Sequence, residues 1–344
     1  MTLIFYIDKY YMKEIKSLTG VRGIAAIYVV LYHFTNAKIP FIWNGYLAVD
    51  LFFVLSGFIM CMVYYKNFES EISVSEFGKF LWHRFARIYP LYLFVLISTI
   101  IIQENESSLP STQTLIINFM MWQNLFNNGM VGASWSVSVE LIAYLIFPAL
   151  ILLLANKKWI CFIVIYTSMS ILFYITTIDN PGSSGPLDIY SGIPSLMRGI
   201  CGFSIGVCCY VLFNKYKSIL NVITYTQDIL AALLIVCLLI KGMDVIFVIL
   251  TGLYISSLYY STGITGWLLS TKPIHYLGEL SFSIYLTHLM IQRNFIFEVN
   301  AITEYLNVSY INDVFVMVIS TLMLSMLTFH LVEKPSRNIL RKLK

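Results

Sequence analysis

The chain has 344 residues, of which 58% are hydrophobic and 12% are charged. An average soluble domain is about 45–50% apolar and about 25% charged. This composition excludes an ordinary soluble enzyme, a disordered protein and a small disulfide-rich scaffold. The net charge of +4 is too small to indicate a nucleic-acid partner. The composition therefore predicts an integral membrane protein built from helices.

Ten apolar segments have roughly the length of a membrane-spanning helix, which needs about 20 residues. They cover residues 21–39, 46–65, 88–103, 135–156, 159–178, 190–213, 225–240, 243–260, 274–296 and 312–332. The third segment is short, and residues 225–260 are also compatible with one re-entrant unit. We predict an all-α polytopic membrane protein with about ten transmembrane helices.

Basic residues fall mostly on one side of this arrangement. With the N-terminus in the cytoplasm, 18 of the 22 lysines and arginines lie on the inner side and three on the outer side. Because basic loops remain in the cytoplasm, both termini are predicted to be cytoplasmic. We expect a single transmembrane domain over residues 1–344, with an N-terminal tail at 1–20 and a basic C-terminal tail at 334–344. The early charges do not resemble a signal peptide, and Met12 is an alternative start.

Two further features are less specific. The six cysteines lie in apolar runs and form no CxxC pair, so we expect neither a metal site nor a disulfide framework. The outer loop at 104–134 carries Met120, Met121 and Trp122 among polar residues. This loop fits an interfacial segment over a cavity and a membrane-surface helix equally well.

Ionisable side chains inside apolar spans are costly and mark functional sites. Five of them lie about four to eight residues below the outer ends of their spans, in one layer about 6–12 Å under the surface. They are His33, Asp50, Glu140, Arg198 and His288. A histidine paired with a carboxylate can act as a general base on a hydroxyl. The alternative is a buried polar network that fixes helix packing.

A second layer lies at the predicted cytoplasmic face. Arg84 and Arg87 share a helix face, and Arg22 lies at the inner end of the first span. Arg22 and His33 are 11 residues apart, so they share one face and are separated by roughly 16 Å of helix rise. Guanidinium groups bind phosphates, although arginines at a span boundary also serve as membrane anchors. Acyl-coenzyme A, with a phosphorylated head and an extended thioester arm, has the shape to connect the two layers.

Several sequence blocks, taken in order, are similar to the motifs of one family. They are LTGVRGIAAIYVVLYHF (18–34), GYLAVDLFFVLSGFIM (45–60), RFARIYPLY (84–92), WSVSVELIAYLIFP (135–148), LGELSFSIYLTHLMIQ (277–292) and VEKPSR (332–337). The chain resembles the acyltransferase 3 family of bacterial membrane acyltransferases. Arg22 and His33 reproduce that family's spacing of Arg, ten residues and His. One departure is the apolar stretch 141–143 after Glu140, which affects the details of acceptor binding.

The resemblance implies a ten-helix core in the bacterial cytoplasmic (inner) membrane that uses cytoplasmic acyl-CoA to acylate a hydroxyl. The acceptor is often a surface glycan, such as lipopolysaccharide or exopolysaccharide. It also implies that His33 is catalytic and that Arg84 and Arg87 help to bind the donor. Many relatives carry an additional esterase-like domain, and because this chain ends at Lys344 we expect a stand-alone transferase.

We therefore predict an O-acetyltransferase that moves an acetyl group from acetyl-CoA to a hydroxyl of a cell-surface or lipid-linked polysaccharide sugar. The assigned residues are His33, Asp50 and Glu140 for catalysis, Arg22, Arg84 and Arg87 for the donor, and Trp135, Ser136, Arg198 and His288 for the acceptor. In this assignment Asp50 or Glu140 orients His33. We expect no permanently bound cofactor, and a homo-oligomer is compatible with the sequence.

Two other functions remain open at this stage. A transporter or flippase of glycan precursors would also place charges inside the membrane, although no internal repeat is visible in the sequence. A scaffold subunit of an envelope assembly would use the same charges only for packing. The sequence leaves open which hydroxyl is modified, which acyl group is moved, and whether transfer is direct or passes through a covalent intermediate.

Overall fold

The computed structural model describes residues 4–7, 10–13, 15–104, 110–178, 184–216, 226–260, 263–305 and 310–343. Residues 105–109 of the predicted outer loop and Lys344 of the predicted tail lie outside this range. Two strands, β1 (Ile4–Ile7) and β2 (Tyr10–Lys13), precede thirteen helices in the described chain. The helices are α1 (Lys16–Phe34), α2 (Leu47–Phe68), α3 (Val74–Glu104), α4 (Thr112–Phe119), α5 (Trp135–Asn156), α6 (Ile160–Thr176), α7 (Gly192–Lys215), α8 (Gln227–Leu239), α9 (Asp244–Tyr260), α10 (Ile264–Leu269), α11 (Lys272–Tyr305), α12 (Tyr310–Thr328) and α13 (Lys334–Lys342).

Each of the ten predicted spans overlaps one of these helices: α1–α3, α5–α9, α11 and α12. In the described part of the chain, six helical runs are long and apolar enough to cross a membrane, by length and composition alone. They are Lys16–Phe34, Leu47–Phe68, Val74–Ile102, Gly132–Asn156, Gly192–Lys215 and Asp313–Lys342. Helices α6, α8 and α9 are apolar but shorter. The helical polytopic fold is thus confirmed, whereas ten spans and cytoplasmic termini stay predictions.

The helices extend beyond the predicted limits at several places. Helix α3 begins at Val74 rather than at residue 88, so the RFAR motif lies inside a helix, as the shared face of Arg84 and Arg87 requires. Helix α1 begins at Lys16, within the predicted N-terminal tail. At the other end, a π-helical turn at Phe329–Glu333 joins α12 to α13, which occupies most of the predicted tail. Residues 225–260 form two helices, α8 and α9.

A short antiparallel hairpin precedes α1. Strand β1 pairs with β2 in a register that sets Ile4 opposite Lys13 and Ile7 opposite Tyr10. The hairpin pairs its backbone groups within the segment itself. It therefore adds a small strand element to an otherwise helical chain.

Large apolar side chains are exposed on the outer helices. On α6, Phe162 and Phe173 are 58% and 66% exposed, and on α12 Phe315 and Met323 are each 63% exposed. A surface this apolar is unfavourable in water but matches lipid chains. The exposed faces therefore agree with a membrane-embedded chain.

The backbones of α1 and α11 cross at unusually short distance, at Gly23 and Gly278. A Cβ atom added to Gly23 would lie 2.6 Å from the Gly278 nitrogen, and one added to Gly278 would lie 1.9 Å from the Thr19 oxygen. Close crossings of this type need residues without side chains. His33 and His288 each follow their glycine by ten residues. Because the two helices run in the same direction, this crossing places both histidines at the same height.

A second close crossing joins α2 to α7. A Cβ atom on Gly57 would lie 1.9 Å from the Phe203 oxygen, and one on Gly206 would lie 1.9 Å from the Val54 oxygen. This contact fixes α2 against α7 one helical turn or more below Asp50 and Arg198. Two predicted site residues are thereby held side by side.

The α1–α11 crossing can be tested with Gly23→Ala. We expect this substitution to destabilise the protein by about 1–3 kcal/mol, because the added methyl group overpacks the contact. We also expect lower activity, since separation of the helices moves His33 away from His288. Thermal unfolding in detergent and a transfer assay would measure the two effects. The matched control is Gly78→Ala on α3, where a Cβ meets no atom within 4 Å; equal stability of both variants would contradict the prediction.

Candidate active site

The three arginines of the predicted inner layer line one cavity. Arg22 of α1 and Arg84 and Arg87 of α3 contribute to its wall. Arg84 and Arg87 are three residues apart, so they present their side chains from one face of α3. Much of the remaining wall is apolar and comes from α2. We refer to this space as the donor cavity, after the acyl donor that the sequence predicts to bind there.

The arginines of the donor cavity differ in their partners. Arg87 forms an ion pair with Glu333, which is 1% exposed. Arg84 donates from Nη2 to the Tyr64 hydroxyl at 3.2 Å, while its buried Nε has no partner. Among the described residues, no carboxylate lies within ion-pair distance of Arg22 or Arg84. Charged side chains that are shielded from water are normally paired with an opposite charge. Because Arg22 and Arg84 have no carboxylate at that distance, the cavity has the electrostatic character of an anion-binding site.

Glu140 lies in the wall of the same cavity and not beside His33. Its Oε1 accepts hydrogen bonds from the Ser56 hydroxyl at 2.6 Å and from the Tyr144 hydroxyl. Arg22 and Arg84 are close enough to interact electrostatically with Glu140. The structure therefore groups Glu140 with the donor arginines, although the sequence analysis placed it in the outer layer.

Asp50 is paired with Arg198 in a fully buried ion pair. The Arg198 Nε donates to Asp50 Oδ1 at 2.9 Å, and Nη2 donates to Oδ2 at 2.6 Å. The same guanidinium also donates to the backbone oxygens of Ile189 at 3.0 Å and Tyr46 at 2.9 Å. The Trp135 ring lies 5.4 Å from its central carbon. Asp50 thus contacts Arg198, and neither carboxylate assigned to orient His33 contacts that histidine.

The acidic group that interacts electrostatically with His33 is Asp188. Its Oδ2 accepts from the Tyr32 hydroxyl at 2.8 Å and from the Ser184 backbone amide at 2.9 Å. The Tyr32 ring meets the His33 ring edge to face, with 5.0 Å between centroids. Asp188 lies in a loop without periodicity, so only its proximity in the fold identifies it.

His33 faces a second histidine. The centroids of the His33 and His288 rings are 5.1 Å apart. The Nδ1 of His288 lies 2.7 Å from the Tyr285 backbone oxygen, which can only accept, so Nδ1 must be the donor. His288 is completely buried, and its Nε2 has no partner in the described chain. In the neutral ring this nitrogen carries a lone pair that is free to accept a hydrogen bond.

Tyr285 connects the donor cavity to the histidine pair. It lines the cavity together with Ser136, and the two hydroxyl groups are hydrogen-bonded at 2.8 Å. The ring of Tyr285 also lies 5.8 Å from that of His288. The cavity that the arginines line therefore reaches Tyr285, whose ring lies beside that of His288.

The predicted outer loop contributes to a neighbouring space. Helix α4 is followed by Met120 and Met121, which line a second cavity together with Arg84 and Tyr144. Trp122 does not line this cavity and is 49% exposed. The interpretation of this loop as a segment over a cavity therefore fits the positions of Met120 and Met121.

Sequence reasoning missed several residues of the site. Glu333, Tyr285 and Tyr144 lie within the motifs of the sequence, but the motifs alone indicate no role for them. Asp188 lies outside every motif. Glu333 follows the last predicted span, and its position next to Arg87 depends on how α13 packs on α3.

The chain belongs to the acyltransferase family described as "Acyltransferase domain", and the sequence model of that family matches residues 15–330. It is 26% identical to the peptidoglycan O-acetyltransferase OatA of Listeria monocytogenes, over 96% of this chain and 57% of that protein. It is 25% identical to the O-acetyltransferase OatA of Staphylococcus aureus, over 81% of this chain and 51% of that protein. A shorter similarity, 45% over 23% of this chain, is to Protein 2 in the picA locus of Rhizobium radiobacter. The chain spans about half the length of the O-acetyltransferases that it matches.

The pairing of Asp50 with Arg198 predicts a structural effect of Asp50→Ala. This change leaves the Arg198 charge buried without compensation, which costs about 3–5 kcal/mol. Asp50→Ala combined with Arg198→Met removes both charges, so we expect it to recover much of the lost stability. Thermal unfolding of the two single variants and the double variant in detergent gives the coupling energy. Additive effects would show that the two side chains do not depend on each other.

Proposed function

We propose that the chain is an integral-membrane O-acetyltransferase of the bacterial cytoplasmic membrane. It takes acetyl-CoA from the cytoplasm and acetylates a hydroxyl of a cell-surface or lipid-linked polysaccharide sugar. The observation that carries the proposal is the donor cavity, in which Arg22 and Arg84, with no carboxylate within ion-pair distance in the described chain, share one wall with Ser136 and Tyr285, beside the histidine pair. Relatives named as O-acetyltransferases support the same reaction class.

The donor would bind with its phosphates on Arg22 and Arg84. These two side chains line the cavity without a carboxylate partner in the described chain, whereas the charge of Arg87 is already balanced by Glu333. The apolar wall from α2 would contact the extended arm, and Ser136 and Tyr285 offer hydroxyl groups near its end. Glu140 would hold Arg22 and Arg84 in place rather than act on the acceptor.

His33 would act as the general base on the acceptor. The hydroxyl proton passes to an imidazole nitrogen, the oxygen forms a bond to the thioester carbonyl carbon, and the carbon–sulfur bond breaks. The coenzyme A thiolate then takes the proton from the imidazolium, so that the products are an acetyl ester and free coenzyme A. Asp188, through its charge, would stabilise the imidazolium.

His288 would complete the acceptor subsite. Its buried Nε2 has a free lone pair, and the centroid of its ring lies 5.1 Å from that of His33. We assign Nε2 to a neighbouring hydroxyl of the acceptor sugar, which donates a hydrogen bond to it, while the reacting hydroxyl gives its proton to His33. Trp135 would form part of the same wall, and Arg198, whose nitrogens already have partners, would shape this wall without touching the sugar.

The topology forms part of the proposal. Ten spans with both termini in the cytoplasm would set the arginines at the inner face and the histidines nearer the outer face. A cytoplasmic donor and an external acceptor would then meet inside one protein. Relatives named as peptidoglycan O-acetyltransferases make a cell-envelope glycan the acceptor class to test first.

The role of the histidines is tested by His33→Ala and His288→Asn. Removal of a general base typically lowers the rate by about 100-fold or more, so we expect His33→Ala to lose nearly all acetyl transfer to envelope glycan. Asn at position 288 retains a donor for the Tyr285 carbonyl but lacks the Nε2 acceptor, and we expect a higher acceptor KM. Mass spectrometry of glycans from cells that express each variant at equal level measures both effects. Full activity of a well-expressed His33→Ala variant would exclude the proposed mechanism.

The donor site is tested by Arg22→Ala and Arg84→Ala. Each removes a charged hydrogen-bond donor, which corresponds to about 10- to 100-fold weaker binding. We expect the acetyl-CoA KM to rise by this factor while the thermal stability changes little. Lys157→Ala removes an exposed positive charge from the α5–α6 loop and serves as the control. An unchanged donor KM in both arginine variants would contradict the assignment.

A further inference from the structure

The C-terminal helix α13 adds two arginines to the donor end of the molecule. Arg337 and Arg341 are four residues apart and therefore share one face of this helix. Arg337 interacts electrostatically with Arg87 and Arg22, and Arg341 interacts with Arg84 and Arg87. We refer to Arg22, Arg84, Arg87, Arg337 and Arg341 together as the arginine cluster.

Specific contacts hold α13 against α3. The indole Nε1 of Trp82 donates to the Leu340 backbone oxygen at 2.8 Å. Glu333, just before α13, is paired with Arg87, accepts from the Ser283 hydroxyl at 2.8 Å, and lies 3.7 Å from an Arg337 nitrogen. The position of Arg337 relative to Arg87 is therefore fixed by a buried carboxylate that both arginines share.

The arginine cluster carries more positive charge than the carboxylates near it can compensate. In the part of the chain that the structure describes, the carboxylates that act on its five guanidinium groups are Glu140 and Glu333. Three of the five positive charges are thus left uncompensated; Arg22, Arg84, Arg87 and Arg337 are partly buried and screened less than in water, whereas Arg341 is exposed. A ligand with several negative charges relieves this repulsion, whereas a single anion relieves it only in part.

We propose that Arg337 and Arg341 form a second phosphate subsite, which binds the nucleotide end of the donor. The inference rests on the proposed function, in which the donor is acetyl-CoA. That molecule carries a diphosphate next to its arm and a separate phosphate on the ribose. Arg22 and Arg84, which line the cavity, bind the diphosphate, and the two arginines of α13, farther from the histidines, bind the ribose phosphate. The subsite selects a phosphorylated nucleotide carrier over a shorter thioester.

An anionic lipid headgroup offers the same phosphate chemistry. Helix α13 also exposes Ile339, at 62%, and is followed by the exposed Leu343, so lipid is the second source to be tested. The two sources differ in one respect that can be measured. Only a donor subsite distinguishes acetyl-CoA from 3′-dephospho-acetyl-CoA when no anionic lipid is present.

The experiment uses the full chain in nanodiscs of phosphatidylcholine, titrated with acetyl-CoA and with 3′-dephospho-acetyl-CoA. We expect the wild-type chain to prefer acetyl-CoA by about tenfold or more, as one charged hydrogen bond provides. This preference should disappear in Arg341→Gln and in the double variant that also carries Arg337→Gln. In both, acetyl-CoA should bind more weakly, while the binding of 3′-dephospho-acetyl-CoA should not change. Lys342→Gln, an exposed neighbour on the same helix, should retain the preference.

Each other outcome overturns a defined part of the inference. A preference that persists in both arginine variants excludes the subsite but leaves the proposed function intact. Equal loss of both ligands assigns α13 a structural role. Equal binding of the two thioesters by the wild-type chain excludes the donor subsite, and if phosphatidylglycerol then binds the wild-type chain but not the double arginine variant, the two arginines are assigned to lipid. If the wild-type chain binds neither thioester and transfers no acetyl group, the proposed function itself is wrong.

Discussion

The close backbone crossing of α1 and α11 at Gly23 and Gly278 determines where both ends of the site lie. At one end it brings Arg22 to the wall of the donor cavity beside α3. At the other end it brings His33 against His288, ten residues farther along each helix. Two small residues in the interior of the fold therefore hold the distance between the anion-binding end and the histidine pair.

The cost of burying charge explains the division of labour among the remaining ionisable residues. Asp50 and Arg198 compensate each other, and all three guanidinium nitrogens donate to a carboxylate or backbone oxygen, which is typical of a pair that stabilises the fold. Arg22, the Nε of Arg84 and the Nε2 of His288 lack such partners in the described chain. Unpaired polar groups in an apolar environment are the best structural indication of where a ligand binds.

The sequence predicted the helical membrane architecture and brought the main residues into view, because apolar length and the scarcity of charge are properties of single segments. It could not predict which residues pair. Helix rise gives the depth of Asp50 and His33 but says nothing about rotation between helices, and the packing of α2 on α7 turns Asp50 towards Arg198. For the same reason Glu140 belongs with the arginines, and Asp188 and Glu333 were missed: their neighbours come from distant parts of the chain.

The π-helical turn at Phe329–Glu333 has a consequence for the orientation of everything that follows it. Such a turn accommodates one residue more than an α-helical turn, so later side chains are rotated by about 100° relative to an uninterrupted helix. Glu333 and Arg337 are four residues apart and share a face, so without that rotation both would leave the helix axis in a different direction from the one that brings them to α3. A single-residue deletion in this turn would therefore rotate the side chains of α13 away from the cavity, although the sequence of α13 itself would be unchanged.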